Sequence, residues 1–262
     1  MIVFIYCIII FIATTLGACV GLGGGVIIKP MLDLIGHDTV DAVGFISSSA
    51  VFAMSIAATL NHIRSKTKFN VAFIVFVSAG SALGGIAGNK LFDLLLDAFS
   101  PSVIKGIQGV ILGALLVGIN LYINAPRRKS FEIKNKFGIF AGGFFLGMLA
   151  SFLGVGGGPI NVGFLVLFFS MSMKDAAVYS VAVIFFSQLT KLFTIYAENQ
   201  FQPYDLKMLV FILPCAVIGG ILGAKLNKSS DEKKIRKLFT ACVYAVAAVS
   251  FYNGFTGLFI HP

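Results

Sequence analysis

Two glycine phrases are the residues of this chain most suited to holding a ligand. Residues 21–25 read Gly-Leu-Gly-Gly-Gly and residues 154–158 read Gly-Val-Gly-Gly-Gly. Each follows one apolar run and opens another, so each places bare backbone where a membrane span is expected. Such backbone is tolerated at membrane depth only where protein buries it or where it lines a cavity. Glycine lacks a Cβ, so a ligand can approach the chain closely. A helix that starts there presents free N–H groups and a partial positive charge, which together suit an anion. The expected donors are the backbones of Gly23, Gly24, Gly25, Gly156, Gly157 and Gly158. Pro159 stands where a first helical residue is expected, a position proline favours, and Asn161 adds a side-chain donor. Two such ends brought together make a cationic pocket without a buried lysine, provided an accessible pocket lies between them. The competing reading is close helix packing through small residues.

Polar residues inside apolar runs come next. Lys191 lies in the run 176–197, and Gln188, three residues away, shares its helix face. A charge within a span is a functional candidate by default, although a lysine near a span's end also snorkels to the interface. Lys29, Lys90 and Lys225 sit nearer to breaks, where snorkelling is the simpler account. Ser48, within Ser47-Ser48-Ser49, is a candidate cavity donor because its run follows the first glycine phrase. Serines also satisfy themselves on their own helix carbonyls. Cys7, Cys19, Cys215 and Cys242 all lie in apolar runs without CxxC spacing and read as buried free thiols. The chain has no HExxH, P-loop or GxSxG signature, and a catalytic role, a cofactor and a metal site are not expected.

The elements that position these residues are membrane helices. The chain is 58% hydrophobic and 12% charged, with mean hydropathy +0.95, against about 25% charged residues in soluble domains. Eight runs are long enough to cross at about 20 residues each: 1–20, 40–62, 70–92, 102–124, 137–154, 176–197, 205–227 and 235–258. Two shorter apolar pieces, 26–36 and 159–173, follow the glycine phrases. The first 28 residues carry no Lys or Arg, so the basic region of an export signal is missing and 1–20 reads as a retained span. The net charge of +9 is spread over short breaks, as in cytoplasmic loops, and does not form a nucleic-acid-binding face.

The halves repeat. The glycine phrases match at an offset of 133, Asp41-Ala42 matches Asp175-Ala176 at 134, and Gly84–Leu91 matches Gly219–Leu226 at 135. Three ordered blocks imply an internal duplication. Matched breaks differ in charge: 63–69 carries Arg64, Lys66 and Lys68, whereas 198–206 carries Glu198 and Asp205. Likewise 92–101 carries Asp93 and Asp97, whereas 227–237 carries Lys228, Lys233, Lys234, Arg236 and Lys237. Basic loops stay cytoplasmic, so matched loops fall on opposite sides and the repeats are inverted. Inversion requires an odd number of crossings per half. The expected fold is therefore an all-α integral membrane protein in one domain, 1–262. It comprises repeat one over 1–124, a basic cytoplasmic linker over 125–136 and repeat two over 137–262. Each repeat has about four long helices and one short glycine-led helix.

Gly21–Gly25 and its second copy Gly154–Gly158 with Pro159, in a basic duplicated membrane protein of this length, resemble the TauE/SafE family of sulfite exporters. The likeness covers essentially the whole chain, with one departure: Val26, not proline, follows the first phrase. The resemblance implies a multi-pass permease of the bacterial inner membrane that moves sulfite, thiosulfate or other organosulfur or organic acid anions. Residues and resemblance together predict a secondary transporter, an exporter of a small anion, working by alternating access and driven by a coupling proton or the membrane potential. The alternatives are a passive anion channel and a non-transport assembly or sensor protein. Expected partners are the small anion and the lipid bilayer, with no nucleic acid.

Overall fold

The computed structural model describes residues 2–65, 70–125, 130–153, 157–197 and 206–259. Among them the chain forms ten helices and no strand. They are α1 (Ile2–Val20), α2 (Gly25–Ile35), α3 (Val40–Arg64), α4 (Val71–Ala98), α5 (Pro101–Asn124), α6 (Lys136–Phe152), α7 (Gly158–Phe169), α8 (Met173–Ala197), α9 (Leu206–Ser229) and α10 (Glu232–Phe259). Helix starts follow local chemistry. Thr39 accepts a hydrogen bond from the Ala42 N–H, Asn70 accepts from Phe73, and Ser172 accepts from Asp175. Pro101 opens α5, and Gly36, left-handed, closes α2 by donating to the Leu32 carbonyl.

Seven helices are long and apolar enough to cross a membrane: α1, α3, α4, α5, α8, α9 and α10. The run expected over 137–154 is the exception to the eight read from the sequence. It forms α6, only 17 residues long, because the helix ends at Phe152 where the glycine phrase begins. At 1.5 Å per residue it covers about 26 Å of a ~30 Å core. The run ending near 92 behaves in the opposite way: α4 continues to Ala98, so Asp93 and Asp97 lie in helix and not in a loop.

Matched helices begin at matched places. α2 and α7 start 133 residues apart, as do α3 and α8, which are each 25 residues long. Their caps Thr39 and Ser172 share that offset, so the structural register here is one residue shorter than the Asp41/Asp175 pairing. α3 and α8 run in opposite directions. Lys228 donates to the carbonyl of Ser65 at the C-terminus of α3, while Lys174 in the first turn of α8 donates to the carbonyl of Lys228.

The principal packing pairs exchange helices between the halves: α4 lies on α6, α1 on α9, and α5 on α10. Glycines set these contacts. A Cβ on Gly84 or Gly88 would overlap the backbone of Phe144 or Met148 in α6, and one on Gly223 would overlap Thr15 in α1. The glycine blocks of α4 and α9 therefore serve close packing, which lets backbones approach where Leu-sized side chains would hold them apart.

Candidate functional site

The described parts of the two glycine breaks meet in the interior. Leu22 in the first break is buried, and its carbonyl lies so close to Gly158 that no Cβ fits between them. Gly21 abuts Ala177 of α8 and the Val162 side chain of α7. Ser180, fully buried on α8, joins the pair: its hydroxyl donates to the Gly21 carbonyl at 2.7 Å and lies 3.5 Å from the Gly158 carbonyl.

In the first break Gly21, Gly23 and Gly24 all have positive φ, at 81°, 75° and 72°. Only glycine adopts that conformation at little cost, which accounts for three of the phrase's four glycines. Gly24 caps α2 without a side-chain partner. The N–H groups of Ile27 and Ile28 both donate to the Gly24 carbonyl, and that of Gly25 to Gly23. The amides of Gly24 and Val26 find no acceptor among the described residues. In the second break Gly157 is the left-handed cap, Pro159 occupies the first turn of α7, and the Asn161 N–H donates to the Gly157 carbonyl at 2.7 Å. The Asn161 side chain, also buried, folds back over Gly157. Gly156 lies outside the described residues.

Each break is tied down by an amide from the other half of the chain. Asn227 of α9, 1% exposed, donates to the Cys19 carbonyl at 2.7 Å, just before the first phrase. Gln108 of α5 donates to the Phe152 carbonyl, just before the second. Cys19 and Phe152 are 133 residues apart, the offset of the phrases themselves. Sequence reasoning missed Asn227, Gln108 and Ser180. Their signal is an amide or hydroxyl in an apolar run, which says nothing about which distant carbonyl it meets.

The remaining candidates divide. Ser48 and Gln188 are buried. It is Ser47, however, that faces the first break, with its hydroxyl against Gly25. Ile184, Gln188 and Lys191 line one face of α8. Ile184 touches Gly23, Gln188 is buried a turn further on, and Lys191 at the far end is exposed. Ser187 and Thr190 donate to the carbonyls of Ile184 and Phe186 in their own helix.

At the junction the Leu22 backbone lies directly against Gly158. Two open cavities lie at other places, one between α3 and α9 and one where α5 ends and α10 begins. Among the described residues no cluster of His, Cys, Asp or Glu could hold a metal ion.

Comparison with known proteins matches the family model "Sulfite exporter TauE/SafE" to residues 6–251. The chain is 25% identical over 271 residues to the "Probable membrane transporter protein YunE" of Bacillus subtilis (strain 168), covering 93% of this chain and 95% of that protein. No solved structure matches it. With seven span-length helices, the chain is a multi-pass membrane protein suited to the bacterial inner membrane. It belongs to the sulfite exporter TauE/SafE family of membrane transporters.

Proposed function

We propose that the chain is a secondary transporter that exports a small anion, of the sulfite, thiosulfate or organic acid class, by alternating access of two inverted repeats. One observation carries the reading: the two unwound glycine breaks, far apart in sequence, converge on one buried point with α2 and α7 both starting from it. The amides of Gly24 and Val26, which have no acceptor among the described residues, and the positive end of α2 supply attraction for an anion at that depth. The opposite courses of α3 and α8, and the exchange of packing partners between halves, support inversion. The Leu22–Gly158 contact then belongs to one state of the cycle, and transport requires it to part. Gln188 and Lys191, on the α8 face that leads away from Gly23, tune the path. The membrane potential already favours anion exit, and a proton is the expected coupling ion. The sulfur chemistry rests on the family description.

The test is flux in liposomes containing the purified protein, with sulfite, thiosulfate, sulfate and small carboxylates in parallel. Saturable transport of one anion class, concentrated against its own potential, is expected, and it excludes a passive channel. Gly157→Val addresses a purely structural role: well-folded protein without flux supports the site, whereas loss of folding alone favours packing. Absence of anion-dependent flux in either direction would remove the proposal.

A further inference from the structure

A second cationic site lies far from the glycine junction. Asn124, at the end of α5, and Lys233, Arg236, Lys237 and Thr240, in the first turns of α10, line an open cavity of about 340 Å³. The sequence places these cations in a loop. In the structure Asp231 starts α10 by accepting from the N–H groups of Lys234 and Ile235, so they stand on a helix. Lys233 and Lys237, four residues apart and exposed, and Arg236 between them line the same open cavity, so their like charges gather on one face of α10. Glu232 offsets only part of this charge. Its carboxylate accepts from Arg236 Nη2 at 3.3 Å and from the Met173 N–H at 3.4 Å, so it is engaged with α8 and with one edge of the guanidinium. Arg236 Nε is buried and has no acceptor among the described residues. Asn124 Nδ2 donates to Thr240 Oγ1 at 3.1 Å, tying α5 to α10 and leaving the threonine proton available as a donor.

We infer that this cavity binds a phosphate group. Three cations, an unused guanidinium N–H and a hydroxyl donor match a tetrahedral oxyanion with several acceptors better than a single carboxylate. The cavity sits where α5 ends and α10 begins, at the basic end of the molecule that the Lys/Arg bias assigns to the cytoplasmic surface. A phosphate reaches that level either on an anionic phospholipid or free in solution.

Full-length protein in a neutral detergent, followed by native mass spectrometry, separates these sources. The probes are phosphatidylglycerol, phosphatidylcholine and inorganic phosphate. The variants are Lys233→Gln/Lys237→Gln and, as a charge control at the same end, Lys225→Gln. The expected result is preference for phosphatidylglycerol over phosphatidylcholine, with the double variant weakening it by at least about tenfold and the control leaving it unchanged. Inorganic phosphate bound in a variant-sensitive manner, with no preference between lipids, assigns the cavity to a soluble phosphate. If none of the probes binds, or if the control weakens binding as much as the double variant, the inference fails. It stands or falls independently of the glycine junction.

Discussion

The two glycine breaks share a sequence phrase but are built to different tolerances. The first bends through three left-handed glycines, and Gly25, which opens α2, is met only by the Val51 and Ser47 side chains, at 3.3 and 3.4 Å from where a Cβ would stand. At the second, Gly157 is left-handed, Pro159 fixes the first turn, and Gly158 is met by the Leu22 backbone itself. Side chains can change rotamer, whereas backbone within a packed core cannot move alone. At these matched helix starts Gly158 is thus the constrained glycine and Gly25 the tolerant one.

The sharpest way to break this comparison is one methyl group at each of two matched positions. Gly158→Ala drives a Cβ into the Leu22 carbonyl, and overpacking of this kind costs about 1–3 kcal/mol or more. Loss of monodisperse protein on size exclusion is expected. Gly25→Ala, at negative φ and against movable side chains, should remain folded with a melting temperature near that of the parent. Equal tolerance at both positions would erase the distinction. Gly23→Ala falls between them. Its φ of 75° adds about 1–2 kcal/mol of strain, and its Cβ would come within 2.7 Å of Ile184 Cδ1. Adding Ile184→Val removes that atom but not the strain. The double variant should therefore recover part of the lost thermal stability, and complete recovery would show that φ is not the constraint.

Much of this arrangement is legible in the sequence, for physical reasons that vary by residue. The glycine phrases stand out because a membrane helix that contains three glycines in a row cannot continue unbroken. The packing glycines of α4 and α9 are visible through their spacing. Ser180 and Asn227 are not, because each donates to a carbonyl more than 150 residues away, and only tertiary docking brings these groups together. Ser48 shows the limit of a face argument: the serine triplet is legible, but a rotation of one residue decides that Ser47 meets Gly25. Charge patterning predicts which end the cations of 233–237 occupy without revealing that they begin a helix. That start depends on the Asp231 carbonyl and on the packing of α10 against α5.

Smaller effects test whether the cross-supplied amides hold the two breaks equally. Asn227→Leu strands the Cys19 carbonyl, and Gln108→Leu strands that of Phe152, each at about 1–3 kcal/mol if no water replaces the donor. Asn227 is 1% exposed and Gln108 is partly exposed, so water can rescue the second carbonyl more readily than the first. Thermal denaturation in detergent should show the larger loss for Asn227→Leu. The reverse order would mean that the first break is held mainly by its own glycine geometry.

The smallest change is expected from Ser180→Ala, and it bears most directly on movement. The hydroxyl makes one good bond, to the Gly21 carbonyl, and a long one to Gly158. Its removal should cost about 1 kcal/mol, with overall packing kept because alanine fits the same space. If the bond helps hold the junction shut, the variant opens more often, and a cysteine introduced at Leu22 in an otherwise cysteine-free chain should react faster with a small methanethiosulfonate. The matched Ser47→Ala removes a hydroxyl beside Gly25 that makes no hydrogen bond with it and should leave that labelling rate unchanged. Equal acceleration by both variants would point to general loosening, whereas acceleration by Ser180→Ala alone identifies this serine as the latch between the two breaks.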